Sequence, residues 1–261
     1  MAQLDLSTIR VFLFDLDGTL YVGDRLIDGA VELLTHVKRS GRLCRFVTNT
    51  TTRSLDSLFR KLKDFGLPVK KEELFCPARA AQLFLRQQKS SRLFLVVEPE
   101  TACDFAEFEQ VSENPDFVVI GNYSNRWTYD LLNRMFKMIM AGAEILALHR
   151  GRYWQVEDGL RLDIGAFVTG LEYASGKKAH VMGKPSESFY QMALDDLGLE
   201  PEQVVMVGDD IASDIGGSQA VGMRGILVKT GKYRHDLIER SSVQPDMVID
   251  SIASLMSIMS R

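Results

Sequence analysis

"FLFDLDGTLY", Phe12–Tyr21, decides how the rest of the chain is read. A short apolar run, Val11–Phe14, stops at two carboxylates one residue apart, Asp15 and Asp17, followed by Gly18 and Thr19. Such an uninterrupted run suits a central strand of a parallel sheet, covered on both faces. Ligands of open parallel sheets bind beyond the carboxyl ends of the strands. Two aspartates at that place therefore raise a question of chemistry.

Outward from this stretch the pattern alternates. Helical spacing over Gly29–Ser40 (Val31, Leu34, Val37) stops at Gly41, and Leu43–Val47 reads as a strand ending in "TNTT". Leu55–Phe65 is helical and stops at Gly66-Leu67-Pro68. Strand, helix, strand, helix implies right-handed crossovers and an α/β, doubly wound parallel sheet. The last third repeats the rhythm with a helix over Ser186–Leu197, strands at Val204–Val207, Gly225–Val228 and Met247–Ile249, and a closing helix at Ile252–Met259. The middle has its own strands (Arg92–Val97, Phe117–Ile120, Glu144–Leu148, Tyr153–Val156), its own helices (Tyr129–Met140, Ala166–Ala174) and no carboxylate cluster. The expected organisation is a core of residues 1–80 and 181–261 with an inserted α/β domain over 81–180. There is no internal repeat and no low-complexity segment.

Composition narrows the function classes. The chain has 261 residues, 46% hydrophobic and 25% charged, with a formal net charge of −4 and a pI near 5.7. No basic footprint exists, so a nucleic-acid partner is not expected. No apolar run approaches the roughly 18 residues of a membrane span, and "MAQLDLSTIR" lacks the basic start of a signal peptide. Cys44, Cys76 and Cys103 are far apart and form no CxxC, which points away from a disulfide framework or zinc and toward buried thiols in a reducing cytoplasm.

Four polar stretches stand at strand ends or helix starts: Asp15–Thr19, Thr48-Asn49-Thr50, Gly183-Lys184-Pro185, and Gly208-Asp209-Asp210 with Asp214 four residues on. Each alone has an ordinary structural reading: an Asp-Gly turn, a helix cap, a proline at a first helical position, a second cap. Together, in one sheet, they describe a phosphate site. Asp15 and Asp209 make a hard oxygen site for Mg²⁺, which accepts one or two carboxylates and takes phosphate oxygens as further ligands. Without a cation the phosphate would be repelled; like charges about 4 Å apart cost roughly 4 kcal/mol at an effective dielectric near 20. Lys184, Thr48 and Asn49 would add positive charge and donors to the equatorial oxygens. Asp15 is placed to attack phosphorus, and Asp17 to protonate the leaving oxygen and then deprotonate water. Gly18 lets the backbone turn beside the phosphate.

These stretches, "DLDGTLY", "TNTT", "GKP" and "GDDIASDIGG", resemble the four ordered motifs of the haloacid dehalogenase (HAD) superfamily of phosphohydrolases, over the whole chain. The insertion is similar to a type II cap. The Tyr after "DGTL" suits subfamily IIA, which includes nitrophenylphosphatase-like enzymes, and "RYW", "GAFVTGLEYASGKKA" and "GKPS" in particular resemble its phospholysine/phosphohistidine/pyrophosphate phosphatases. The resemblance implies a HAD-like Rossmannoid core and a Mg²⁺-dependent phosphatase of small phosphorylated metabolites. Asp15 would be nucleophile and metal ligand, and Asp17 acid/base and a ligand through its carbonyl. Asp209 would be the remaining ligand, with Asp210 and Asp214 in support. Gly18, Thr48, Asn49, Thr50 and Lys184 would hold phosphate. Cap-mediated homodimers also occur in that subfamily. A phosphomutase on the same machinery and a non-catalytic phosphometabolite-binding protein stay open as alternatives, although binding alone has no need of Asp17.

The inserted domain is expected to cover the site and choose the leaving group, with Leu160–Phe167 as a loop reaching the substrate. Trp127, Tyr153, Trp154 and Phe167 are expected in its core, and Asp163 as a helix cap. Lys177-Lys178 is expected in a solvated linker. His36, His149, His180 and His235 are scattered and form no metal spacing.

Overall fold

The Val11–Asp15 strand is buried along its whole length. Both its edges are paired in parallel, with Leu43–Val47 on one side and Val204–Gly208 on the other. In this computed structural model, which describes residues 4–156 and 159–259, the chain divides into two compact units. The core unit comprises Met1–Thr48, Leu58–Phe75 and Lys184–Arg261; the inserted unit comprises Asn49–Ser57 and Cys76–Gly183.

The core sheet runs Met247–Ile249, Arg224–Val228, Val204–Gly208, Val11–Asp15, Leu43–Val47, Leu74–Phe75, all parallel. After the first strand the chain winds to one side; after the insertion it winds to the other. The reversal lies between Val11–Asp15 and Val204–Gly208, and a reversal of this kind opens a crevice at the carboxyl ends of the two strands. Helix Ala30–Arg39 packs with Ile252–Met259, and Glu187–Leu197 with Gly217–Ala220. Phe12, Phe14, Phe46, Phe75 and Phe189 fill the space between layers.

The inserted unit has its own parallel sheet in the order Ala179–Val181, Glu144–Ala147, Phe117–Ile120, Leu93–Val96. Val118, Ile120, Met135, Ile139, Ile145, Val168 and Leu171 form its apolar core beneath helices Tyr129–Met140 and Gly165–Ser175.

Several expectations shift. Helix Pro77–Arg86, whose alanine-rich buried face the sequence pattern understates, is not among the expected elements. The supposed linker is partly sheet: Ala179–Val181 pairs with Glu144–Ala147, and the Lys177 ammonium donates to the Ala143 carbonyl at 3.1 Å. The first part of Leu160–Phe167 is a strand, Gly159–Leu162, paired antiparallel with Tyr153–Val156. Tyr153 and Trp154, consecutive on this two-stranded ribbon, are exposed rather than buried in a core. Trp127 and Phe167 are half-buried and stack with ring centroids 4.0 Å apart.

Candidate active site

Strand ends place the carboxylates. Asp15 is the last residue of its strand, and the register Phe14↔Val207 sets Asp209 just beyond the end of the neighbouring one. Among the described residues, Asp15, Asp209 and Asp214 form a group that could hold a metal ion. One carboxylate oxygen of each lies within 4.8 Å of the others. All three are buried, as is Lys184, whose ammonium donates to Asp15 Oδ1 and, at 2.7 Å, to Asp214 Oδ1.

Asp214 is placed by a π-helical turn, Ile211–Gly216, that opens with a cap: Asp210 Oδ1 accepts from the amides of Ala212 (3.0 Å) and Ser213 (2.9 Å). Wide turns of this kind recur at functional sites. Here it turns Asp214 back onto the strand, where its second oxygen accepts from the Asp210 amide at 3.1 Å. The buried Tyr190 hydroxyl donates to the Ser213 carbonyl at 2.7 Å and fixes the turn from behind. Both Asp214 oxygens are thus engaged within the protein.

Asp209 differs. Its Oδ2 accepts from the Lys232 amide at 2.6 Å, but its buried Oδ1 has no hydrogen-bond partner. The space beside it depends on Gly18, at φ +93°: a Cβ there would lie 2.0 Å from Asp209 Oδ2. A buried carboxylate oxygen without a donor is costly. Two hard oxygen ligands beside a main-chain cradle, with no thiol or imidazole in the group, fit a hard divalent cation.

The electrostatics agree. Burial first, and then the charge of Asp15, push Asp209 up to about 7. Burial raises Asp214 to about 6 against the opposing pull of Lys184. Burial disfavours the Lys184 ammonium, yet Asp15 and Asp214 outweigh it and raise its pKa. Without a cation the crevice holds more negative charge than it can comfortably ionise.

Of the residues singled out from sequence, Asp15, Lys184, Asp209 and Asp214 come together here, with Asp210 capping the turn behind them. Thr48 is buried just past its strand, its amide donating to the Phe75 carbonyl at 3.2 Å. Asp17 is exposed on the turn after Asp15, and its carboxylate is not one of the three. Asn49 and Thr50 belong to the inserted unit. Sequence reading missed Tyr190, which looks like one more core aromatic, and Thr230-Gly231-Lys232. The signal for the latter was present: a polar, glycine-containing turn just past a parallel strand.

Within the inserted unit, a cavity of about 290 Å³ is lined by Tyr123, Trp127, Trp154, Arg161, Asp163 and Phe167 among others. Asp163 does not cap the first turn of its helix. Its Oδ1 accepts from the next amide, Ile164, at 2.7 Å, and its Oδ2 faces buried His149 at 3.6 Å. Burial pushes that imidazole down against the pull of Asp163, and its Nδ1 accepts from the Gly151 amide at 3.1 Å.

Comparison with known proteins follows the same lines. The profile described as haloacid dehalogenase-like hydrolase matches residues 12–110, and a HAD-hydrolase-like profile matches residues 181–255. The bovine haloacid dehalogenase-like hydrolase domain-containing protein 2 is 42% identical over 226 residues, covering 87% of this chain and 86% of its own. Human phospholysine phosphohistidine inorganic pyrophosphate phosphatase is 35% identical, covering 97% and 95%. Among solved structures, 4-nitrophenylphosphatase from Thermotoga maritima superposes with a TM-score of 0.87 at 28% identity, covering 97% of this chain and 98% of its own.

Proposed function

The chain belongs to the haloacid dehalogenase-like hydrolases as a phosphohydrolase of their IIA branch, and from that premise we propose that it is a Mg²⁺-dependent phosphatase of small phosphorylated metabolites that works through an aspartyl-phosphate on Asp15. One observation carries this reading. The buried Asp15, Asp209 and Asp214 converge within 4.8 Å, with an unpartnered oxygen on Asp209.

Asp15, the Asp17 carbonyl and Asp209 would hold the cation. When bound, it supplies positive charge that lets a phosphate dianion approach the carboxylates and stabilises charge on the equatorial oxygens. Lys184 keeps its charge at the crevice floor, where it adds to that neutralisation and orients Asp15. One Asp15 oxygen attacks phosphorus as the bond to the leaving oxygen breaks, and that oxygen takes a proton from Asp17. In the second half Asp17 removes a proton from water as the water oxygen attacks phosphorus. The bond to Asp15 then breaks, releasing phosphate and restoring both aspartates. Exposure of Asp17 suits a group that must exchange protons with leaving group and water. Asp214, with both oxygens engaged, holds Lys184 rather than substrate. The Thr48 hydroxyl is a phosphate donor.

The relatives are named for phospholysine, phosphohistidine and pyrophosphate, and the structural neighbour for nitrophenyl phosphate. We carry these over only as the first substrates to assay. Buried Cys44 and Cys76, with thiols pushed up to about 12 mainly by burial, suit a reducing cytoplasm. Among the described residues, no helix is long and apolar enough to cross a membrane.

The test is phosphate release from a panel of pyrophosphate, phosphoramidates, nucleotides, sugar phosphates, pyridoxal phosphate and nitrophenyl phosphate. Turnover that needs Mg²⁺, stops with EDTA and is absent in Asp15→Asn is expected. Undiminished turnover in Asp15→Asn would remove the nucleophile.

A further inference from the structure

We propose that Thr230-Gly231-Lys232 is a positioning element of the cation site, clamping one oxygen of Asp209 so that the other is presented to a divalent ion. The inference rests on Asp209 being a cation ligand. The Arg224–Val228 strand runs beside Val204–Gly208 with Leu227 opposite Gly208, so the segment that follows it emerges next to Asp209. Two main-chain features of this segment then meet the Asp209 carboxylate, and one side chain ties the segment to the Gly18 turn. The Lys232 amide donates to Asp209 Oδ2 at 2.6 Å. The Thr230 hydroxyl donates to the Gly18 carbonyl and ties this segment to the turn after Asp15. Gly231, at φ +54°, lies so close that a Cβ would fall 2.0 Å from Asp209 Oδ2 and 2.5 Å from Gly18 Cα.

Oδ2 is therefore enclosed by the backbones of two loops, while Oδ1 stays buried and unpartnered. A backbone amide has little freedom to leave, so the carboxylate is fixed about its terminal torsion. Groups that hydrogen-bond a ligating carboxylate typically change metal affinity 10–100-fold when lost. The clamp uses no titration and no contact with substrate. Its effect is on where an oxygen stands before the ion arrives.

The experiment is calorimetric titration of Mg²⁺ into the full chain at pH 8, without substrate. Wild type is compared with Thr230→Val, Thr230→Ser and Gly231→Ala, each melted first without metal. Thr230→Val and Gly231→Ala should bind Mg²⁺ about 10–100-fold more weakly, and Thr230→Ser, which keeps the hydroxyl, should match wild type. Wild-type affinity in both Thr230→Val and Gly231→Ala would overturn the proposal; so would equal losses in Thr230→Val and Thr230→Ser. If Gly231→Ala does not fold, the two Thr230 variants decide. A wild-type chain that binds no Mg²⁺ would bring down the cation reading itself, whereas wild-type binding with insensitive variants would bring down only the clamp.

Discussion

The two units treat buried charge in opposite ways. In the inserted unit the buried Glu172 is satisfied: its oxygens accept from Arg150 at 2.5 Å and from the Ala179 amide at 3.0 Å, joining the Gly165–Ser175 helix to an edge strand. In the core unit Asp15, Lys184, Asp209 and Asp214 are crowded at a sheet edge, and one Asp209 oxygen is left unmatched. A satisfied buried charge fastens structure. An unsatisfied one weakens the fold unless something binds there, so it marks chemistry.

That contrast can be broken most decisively at Asp15. On the proposed reading of Asp15 as nucleophile, Asp15→Asn should reduce turnover by more than about 10⁴-fold. The melting temperature should be unchanged or higher, because one of three crowded charges is gone. A comparable loss of stability would put Asp15 in the same class as Glu172. Asp17→Asn should slow kcat about 10²–10⁴-fold and leave Mg²⁺ affinity near wild type, since its carboxylate is exposed and outside the cluster. Rapid quench should then show accumulated phosphoenzyme.

The raised Asp209 and Asp214 give the comparison a pH dependence. With pKa values of about 7 and about 6 in the fold, against 3.8 in the unfolded chain, the native state binds more protons between about pH 4 and 7. The stability of metal-free protein contributed by these groups therefore falls as pH rises through that window, and Mg²⁺ should restore it above pH 7. Asp209→Asn should flatten the dependence, raise metal-free stability at pH 8 and abolish Mg²⁺ binding. Denaturant melts across pH with and without Mg²⁺ read all three. Glu172→Ala should do the reverse, lowering stability by about 1–3 kcal/mol with Mg²⁺ affinity intact. The smallest effect is expected at Leu160 on the ribbon, 66% exposed, where Leu160→Ser should shift stability by less than about 0.5 kcal/mol.

Much of the candidate site was legible because it is written locally. A polar stretch at a strand end or helix start is a statement about a few neighbouring residues, and Asp15, Lys184, Asp209 and Asp214 each stand in such a stretch. Thr230 was not legible in that way: its hydroxyl bonds a carbonyl 212 residues away. Tyr190 was hidden for a related reason, since a tyrosine on a helix face reads as packing until its hydroxyl is found on the Ser213 carbonyl. The inserted unit was read least well. Its aromatics signal burial by residue type, yet Tyr153 and Trp154 lie exposed on a two-stranded ribbon.

By itself the amino-acid order determined the alternation of strand and helix, the placement of acidic groups at strand ends, and hence the class of chemistry. Those depend on steric periodicity and turn formation, which act over a few residues. Only the folded chain decided which carboxylate oxygen is clamped and which stands free, and which aromatic faces are covered. Such outcomes depend on which distant backbones end up side by side, and that is fixed by strand register and layer packing.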